Sequence, residues 1–262
     1  MNVIVIAIIV VTIIGILCAA MLSVASKVMA VEVDERVPKV TACLPGANCG
    51  GCGFPGCEGY AAALVEDPDL DLTLCAPGGA AAVAAMGEIL GRSGGEMVKK
   101  FAVIQCTGDC NTTGNKMEYK GIDSCAGGKL MFGGAGECTY GCLGLGDCAA
   151  VCPENAICIE NGIAHVDTRV CTGCGACAKV CPNNVIALVP EKFNVKIACS
   201  NKDKGAAVRK KCKAGCIGCG MCMKKCPEGA ITLKDNLASI DYSKCTNCGT
   251  CKESCPVKCI IG

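Results

Sequence analysis

The feature that most limits what this chain can fold into is a set of cysteine runs returning at one fixed interval. Cys171, Cys174, Cys177 and Cys181 follow the spacing C-x2-C-x2-C-x3-C, and Pro182 comes next. The same spacing recurs at Cys216, Cys219, Cys222 and Cys226 before Pro227, and at Cys245, Cys248, Cys251 and Cys255 before Pro256. A fourth, defective run contains Cys142 and Cys148 and ends in Cys152-Pro153. Every cysteine from Cys138 to Cys181 except Cys158 has a counterpart 74 residues later, and Cys125 falls on Cys199 in the same register. Ala164 and Asp167 likewise fall on Ala238 and Asp241. A fixed period of this kind denotes a duplicated structural unit.

Twenty-nine of the 262 residues are cysteine. Such density normally denotes a disulfide scaffold in a short secreted chain. Two-residue gaps are too tight for several disulfides and suit metal instead. A zinc site closes with four ligands. Three close cysteines with a fourth before proline, repeated, fit [4Fe–4S] clusters better. The pattern is that of bacterial ferredoxins, in which the fourth cysteine ligates the other cluster of the pair. Aromatic residues are 3% of the chain and tryptophan is absent. Large apolar side chains are therefore scarce, and clusters are expected to act as cross-links that stand in for a core, leaving the apo-protein largely unfolded.

Residues 3–25 carry no charge and are rich in Ile, Val and Leu. That length spans a bilayer, and it is too long for a signal-peptide core. Lys27, Arg36 and Lys39 follow the span, so the bulk of the chain is expected in the cytoplasm, beneath a single-pass anchor in the inner membrane. That side is reducing, which suits free thiolates. Cys18, within the span, reads as a small apolar residue.

The resulting reading is an α+β chain. It has an N-terminal transmembrane helix (1–27), a linker (28–40), a small α-helical 4Fe-4S module (41–95) and a Cys-containing connector (96–130). Two tandem bacterial-type 2[4Fe-4S] ferredoxin units follow (131–189 and 190–262). The module's expected ligands are Cys49, Cys52, Cys57 and Cys75, with Cys43 left out. Helices are expected over 60–66 and 80–90, with a flexible boundary at 91–95. Residues 157–160 and 163–166 alternate as short strands. His165 lies in the second and is read as structural.

The ferredoxin crossover distributes the remaining ligands. In the second unit, Cys216, Cys219, Cys222 and Cys255 hold one cluster, and Cys245, Cys248, Cys251 and Cys226 hold the other. In the first, Cys171, Cys174, Cys177 and Cys152 hold one. The last site is short of a ligand, because Leu145 stands where the repeat has Cys219. Cys142, Cys148 and Cys181 remain. Cys138 is the candidate fourth ligand; a [3Fe–4S] cluster, or completion by Asp147, Cys158 or Cys110, are the alternatives.

Cys106, Cys110, Cys125, Cys158, Cys199, Cys212 and Cys259 are then left over. Cys125/Cys138 and Cys199/Cys212 share one spacing, which suggests a further cluster built from Cys106, Cys110 and Cys125 with a fourth thiol. Five [4Fe–4S] clusters are the minimum, and a sixth would raise the iron from about 20 to about 24 per chain.

Charge is divided unevenly. Residues 190–262 carry fourteen Lys/Arg against six Asp/Glu, and residues 28–189 carry ten against eighteen. The run Arg209-Lys210-Lys211-Cys212-Lys213, with Lys224-Lys225, reads either as a solvated face balancing cluster charge or as a docking patch for a small acidic electron carrier. Salt should slow reduction by such a carrier. No aromatic residues accompany the lysines, which disfavours nucleic acid. No G-x-G-x-x-G after a strand, no P-loop and no nucleophile–base constellation is present. The chain reads as a conductor without a nicotinamide site or catalytic residues.

The order of parts resembles a known family. An uncharged N-terminal helix, the stretch Asn48-Cys49-Gly50-Gly51-Cys52-Gly53-Phe54-Pro55-Gly56-Cys57 with Cys75, and then ferredoxin units are similar to the B subunit of Rnf complexes. These are membrane-bound, ion-translocating ferredoxin:NAD(+) oxidoreductases. The resemblance implies a subunit that accepts electrons from soluble ferredoxin and relays them to flavin- and cluster-bearing membrane subunits. Leu145 and the second ferredoxin unit depart from the simpler form. A polyferredoxin-type carrier for another membrane enzyme, or a structural zinc or cluster-storage protein, are the other readings.

Overall fold

The computed structural model describes residues 3–28 and 34–262. Helix α1 (Val3–Val28) is apolar all round, and none of its span Val5–Ser26 (mean hydropathy 3.1) is buried in the protein. Two of its hydroxyls bond back to the helix's own carbonyls. Ser23 Oγ donates to the Ala19 carbonyl at 2.8 Å, and Thr12 donates to that of Ile8. This is what a hydrocarbon surround demands of a helix. Residues 29–33 of the expected linker lie outside the described residues.

The linker ends sooner than expected. Residues 36–42 form α2 (Arg36–Ala42), and Val37 and Val40 are buried in the module. They pack with Tyr60 and Leu64 of α3 (Cys57–Glu66) and Met86 of α4 (Gly79–Leu90). Tyr60 is fully buried, and its hydroxyl donates to the Asp71 carbonyl at 2.7 Å. This small domain therefore has a side-chain core of its own, despite the scarcity of aromatics. At the start of the expected boundary 91–95, Gly91 and Arg92 are tied to the helical domain. Gly91 ends α4 in the left-handed region, and the Arg92 guanidinium donates to the Leu64 carbonyl at 3.0 Å and to that of Pro68.

The rest is two copies of one ββ-hairpin architecture. The segment 96–130, expected as a connector, supplies the first strand of unit 1. Strand β1 (Lys100–Ile104) is followed by α5 (Cys125–Leu130), α6 (Asp147–Ala150), the hairpin β2 (Ile157–Glu160) and β3 (Ile163–Val166), α7 (Ala176–Val180) and β4 (Ile186–Pro190). β1 pairs antiparallel with β4, from Lys100 opposite Pro190 to Ile104 opposite Ile186. Unit 2 repeats this with β5 (Lys196–Ile197), α8 (Gly205–Lys211), α9 (Met221–Lys225), β6 (Ile231–Lys234), β7 (Leu237–Ile240), α10 (Thr250–Glu253) and β8 (Ile260–Ile261). There Ile197 lies opposite Ile260. Left-handed positions recur 74 residues apart: Asn161 and Asp235 both at φ 50°, Asn184 and Lys258 at 51° and 52°. The duplication is thus written in the backbone as well as in the cysteines.

The interior of each unit is built from Ile, Val, Ala and Cys. In unit 2, Cys199, Cys216, Cys222, Cys251 and Cys259 share one core with Ile197, Ile231 and Ile260. Phe101, Val103, Val189 and Phe193 form a separate apolar patch touching both Cys171 and Cys245.

Candidate metal centres

The module gathers its four expected cysteines. Cys49 and Cys52 sit on a tight loop, Cys57 opens α3, and Cys75 joins two short 3-10 turns. All four line one cavity. The loop is fixed by Asn48, whose Oδ1 accepts from the Cys57 amide at 2.8 Å. Burial raises the Cys75 thiol above its ordinary value, with the three other thiols adding to the shift. Cys43 packs at the edge of this domain, with its thiol directed at the Lys39 carbonyl, and does not line the cavity.

In unit 1, Cys177 is pushed up to about 11 by burial and by the neighbouring Cys174, Cys171 and Cys152 thiols. These are the four residues the crossover groups together. The other site differs from expectation. Cys142, Cys148 and Cys181 line a cavity whose fourth thiol is Cys125, the buried first residue of α5. Cys138 is elsewhere. Asp147 lines the cavity, but its carboxylate accepts from Ser124 Oγ (3.1 Å) and the Ala126 amide (3.0 Å). It holds the N-terminus of α5, and so positions Cys125. Leu145 points toward the same helix: a Cβ on Gly128 would stand 2.7 Å from Leu145 Cδ1. Burial, with Cys142 and Cys125 adding, pushes Cys148 up to about 12.

Cys138 lines a second cavity with Cys106, Cys199 and Cys212. The expected trio of Cys106, Cys110 and Cys125 is therefore divided. Cys110 is exposed and lines neither cavity. The reason is a register that the 74-residue period conceals. Ile104 and Ile197 occupy equivalent strand positions, and Cys106 and Cys199 each lie two residues beyond them. From strand to first cluster cysteine, unit 1 runs 38 residues (Ile104 to Cys142) and unit 2 only 19 (Ile197 to Cys216). Cys125 belongs to the longer segment, and its coincidence with Cys199 in sequence has no counterpart in space. Besides Cys142, which also lines the preceding cavity, this second cavity takes two cysteines from each unit, one just past the strand and one just before the first cluster cysteine.

Direct hydrogen bonds close this joint. Thr113 Oγ1 donates to the Lys211 carbonyl (2.8 Å), the Lys213 amide to Thr112 (3.0 Å), and Ser200 Oγ to Gln105 (2.9 Å). The buried Asn201 directs Nδ2 to Cys138 Sγ at 3.3 Å. Burial pushes Cys106 up to about 11.

In unit 2, Cys216, Cys219, Cys222 and Cys255 line a cavity that also contains Cys259. The Cys259 thiol donates toward Cys216, lowering that thiol and raising its own. Burial raises Cys251, with Cys245 and Cys248 adding to the shift, and Cys226 stands at the repeat position of Cys152. Cys158 is exposed on β2 opposite His165, away from every cavity described.

Neighbouring groups touch. A Cβ on Gly51 of the module would lie 2.3 Å from the Cys174 carbonyl oxygen, and Lys179 Nζ donates to the carbonyls of Gly50 and Gly51. The Cys177 thiol acts on Cys148, and Cys142 on Cys106. The Cys216 amide donates to Cys199 Sγ at 3.2 Å. Among the described residues, no three Cys, His, Asp or Glu side chains converge as one mononuclear ion requires. Four of the groups line cavities of about 320 to 470 Å³, open solvent included. Thiols spread around a cavity suit a cluster bearing one iron per thiolate.

Comparison with known proteins gives the same chemistry. An Fe-S cluster family matches residues 44–77, and the 4Fe-4S dicluster domain matches residues 170–231 and 215–259. The first dicluster match straddles the joint between the units. The B subunit of the Na(+)-translocating ferredoxin:NAD(+) oxidoreductase complex of Acetobacterium woodii is 44% identical over 249 residues, 95% of this chain and 74% of that protein. The proton-translocating counterpart from Clostridium ljungdahlii is 43% identical over 246 residues, 94% of this chain and 87% of that one. The B subunit of the ion-translocating oxidoreductase complex of Methanosarcina acetivorans is 38% identical over 232 residues, 88% of each chain.

Proposed function

The chain belongs to the family of B subunits of ion-translocating ferredoxin:NAD(+) oxidoreductase complexes, and on that premise we propose that it holds six [4Fe–4S] clusters in one continuous series. It is an electron-transfer component of an oxidoreductase, and the other subunits of the complex are its partners. The series begins at Cys49/Cys52/Cys57/Cys75 and continues with Cys152/Cys171/Cys174/Cys177, then Cys125/Cys142/Cys148/Cys181. The joint site Cys106/Cys138/Cys199/Cys212 is fourth. Cys216/Cys219/Cys222/Cys255 and Cys226/Cys245/Cys248/Cys251 complete it. Bound there, such clusters supply reversible one-electron carriers. The chain's own part is to hold them in order, to exclude water from the thiolates, and to set their charge.

The observation that carries this reading is the joint. Without a site at Cys106/Cys138/Cys199/Cys212, the two ferredoxin units would be separated by a cavity lined with four unused thiols. With it, every group abuts the next.

The two ends differ. The module end follows the apolar helix, and Lys27, Arg36 and Lys39 after that helix support a cytoplasmic position for the rest of the chain. At the far end Cys248 is exposed, and Lys244 and Lys252 lie close to it in sequence. The excess of lysine in residues 190–262 favours reduced, acidic ferredoxin as the donor docking there. Electrons then leave from the module toward the membrane subunits.

Iron and sulfide analysis of the anaerobically purified chain tests the count. About 24 irons per chain are expected, and about 20 to 23 in Cys199→Ala, according to whether the three remaining thiolates keep a [3Fe–4S] centre. A wild-type value near 20 that Cys199→Ala leaves unchanged refutes the joint cluster.

A further inference from the structure

We propose that Cys259 is a hydrogen-bond donor to the cluster site formed by Cys216, Cys219, Cys222 and Cys255, and that it holds this site's reduction potential above that of its counterpart in unit 1. The proposal rests on the reading of these cavities as [4Fe–4S] sites.

Cys259 is 2% exposed and lines this cavity together with the four ligands. Its Sγ stands 3.6 Å from Cys255 Sγ. The position is not that of a ligand. The run already supplies three cysteines, and Cys255 before Pro256 supplies the fourth, as Cys181 before Pro182 does in unit 1. In the 74-residue register Cys259 corresponds to Val185. Val185 is 1% exposed and lines the matching cavity of Cys125, Cys142, Cys148 and Cys181. The residues just before the two, Asn184 and Lys258, share the same left-handed backbone angle, and the residues just after, Ile186 and Ile260, occupy the same strand position. The two side chains are therefore delivered to the same place. One is wholly apolar, and the other carries an S–H.

Reduction adds negative charge to a cluster and its thiolates. Hydrogen bonds to the sulfurs are among the factors that set the potential. A donor aimed at them stabilises the reduced state more than the oxidised one. A thiol is a weak donor, but here it is buried, where an electrostatic contact is strengthened by the low local dielectric. The duplication thus places a comparison within one chain: the same backbone position faces both cavities, with valine in one and cysteine in the other. Along the series, the effect makes the site just beyond the joint the easier of the two to reduce.

The test uses the full-length holoprotein, purified anaerobically in detergent, with Cys259→Val, which installs the residue unit 1 already accepts, and Cys259→Ser, which keeps a donor. Cys259→Ala is the second route should valine disturb packing. Iron and sulfide should match the wild type in all three. In an EPR-monitored redox titration, one component of Cys259→Val or Cys259→Ala should move to lower potential by roughly tenfold in its reduction equilibrium, about 59 mV for one electron. Cys259→Ser should stay near the wild type. Unchanged titrations in Cys259→Val and Cys259→Ala overturn the proposal. Loss of iron with either variant also overturns it, because Cys259 would then be a ligand. Failure of the underlying reading looks different: the wild-type protein itself would lack reducible [4Fe–4S] signals.

Discussion

Replacing Cys125 by alanine leaves Cys142, Cys148 and Cys181 as the thiols around their cavity. If six four-iron clusters are present, the wild-type chain carries about 24 irons. Three remaining thiolates can retain a [3Fe–4S] centre, so Cys125→Ala should fall to about 23 with an EPR signal in the oxidised protein, or to about 20 if the site empties. The structure also supplies the rescue. Leu145 occupies the repeat position of Cys219 and faces α5, the helix that begins with Cys125. Cys125→Ala combined with Leu145→Cys restores the ferredoxin spacing and should restore the fourth iron. Leu145 is half-buried, so shortening its side chain by about two carbon groups costs about 1–2 kcal/mol at ~0.8 kcal/mol per buried group. That is small beside the stabilisation a bound cluster provides. Iron and sulfide analysis with EPR of both variants is the assay. Full iron in Cys125→Ala, or no recovery in the double variant, refutes the assignment of Cys125 as the ligand that replaces the missing cysteine of the first run.

Two further outcomes are expected. Gly51→Ala puts a Cβ 2.3 Å from the Cys174 carbonyl oxygen, where ordinary contact begins at 3.4 Å, so the module and unit 1 must separate by about 1 Å. Iron content should not change, while the module cluster should be reduced more slowly than the rest in stopped-flow mixing with a reductant that enters at unit 2; equal rates would count against the order of sites. Anaerobic iron chelation should unfold residues 100–262, whose interiors are lined by cluster thiols, while α2–α4 persist on the core of Val40, Tyr60, Leu64 and Met86. Limited proteolysis with circular dichroism would reveal this, and uniform loss of all structure would contradict it.

The legible part of the site was the part in which each ligand set is local in sequence. Cys171, Cys174 and Cys177 are neighbours by their spacing, and Cys152 stands beside Cys177 as the crossover expects. Cys49, Cys52, Cys57 and Cys75 lie within one small domain, and they are together in its cavity. The hairpin strands at 157–160 and 163–166 were readable from alternation and stand at those residues. The meeting of Cys106, Cys138, Cys199 and Cys212 around one cavity was not readable, because two strands and two units must come together before these thiols do. Nor was the place of Cys125. A single offset aligned it with Cys199, while the strand pairing aligns Cys106 with Cys199 instead. One signal was available: the distance from strand to first cluster cysteine differs by 19 residues between the units, so one period cannot hold across that segment.

The chemistry, then, is already present in the order of residues. Closely spaced thiols before proline mark iron–sulfur clusters, a 74-residue period marks a duplication, and an uncharged apolar helix is long enough to cross a membrane. Which thiols meet is a property of the folded chain alone. The broken run at Leu145 faces a helix that brings Cys125 to it, and Cys138 is carried to the joint with unit 2. A cluster site gathers side chains from wherever the backbone brings them. Spacing along the chain fixes the local three, and the pairing of strands and the docking of units choose the rest.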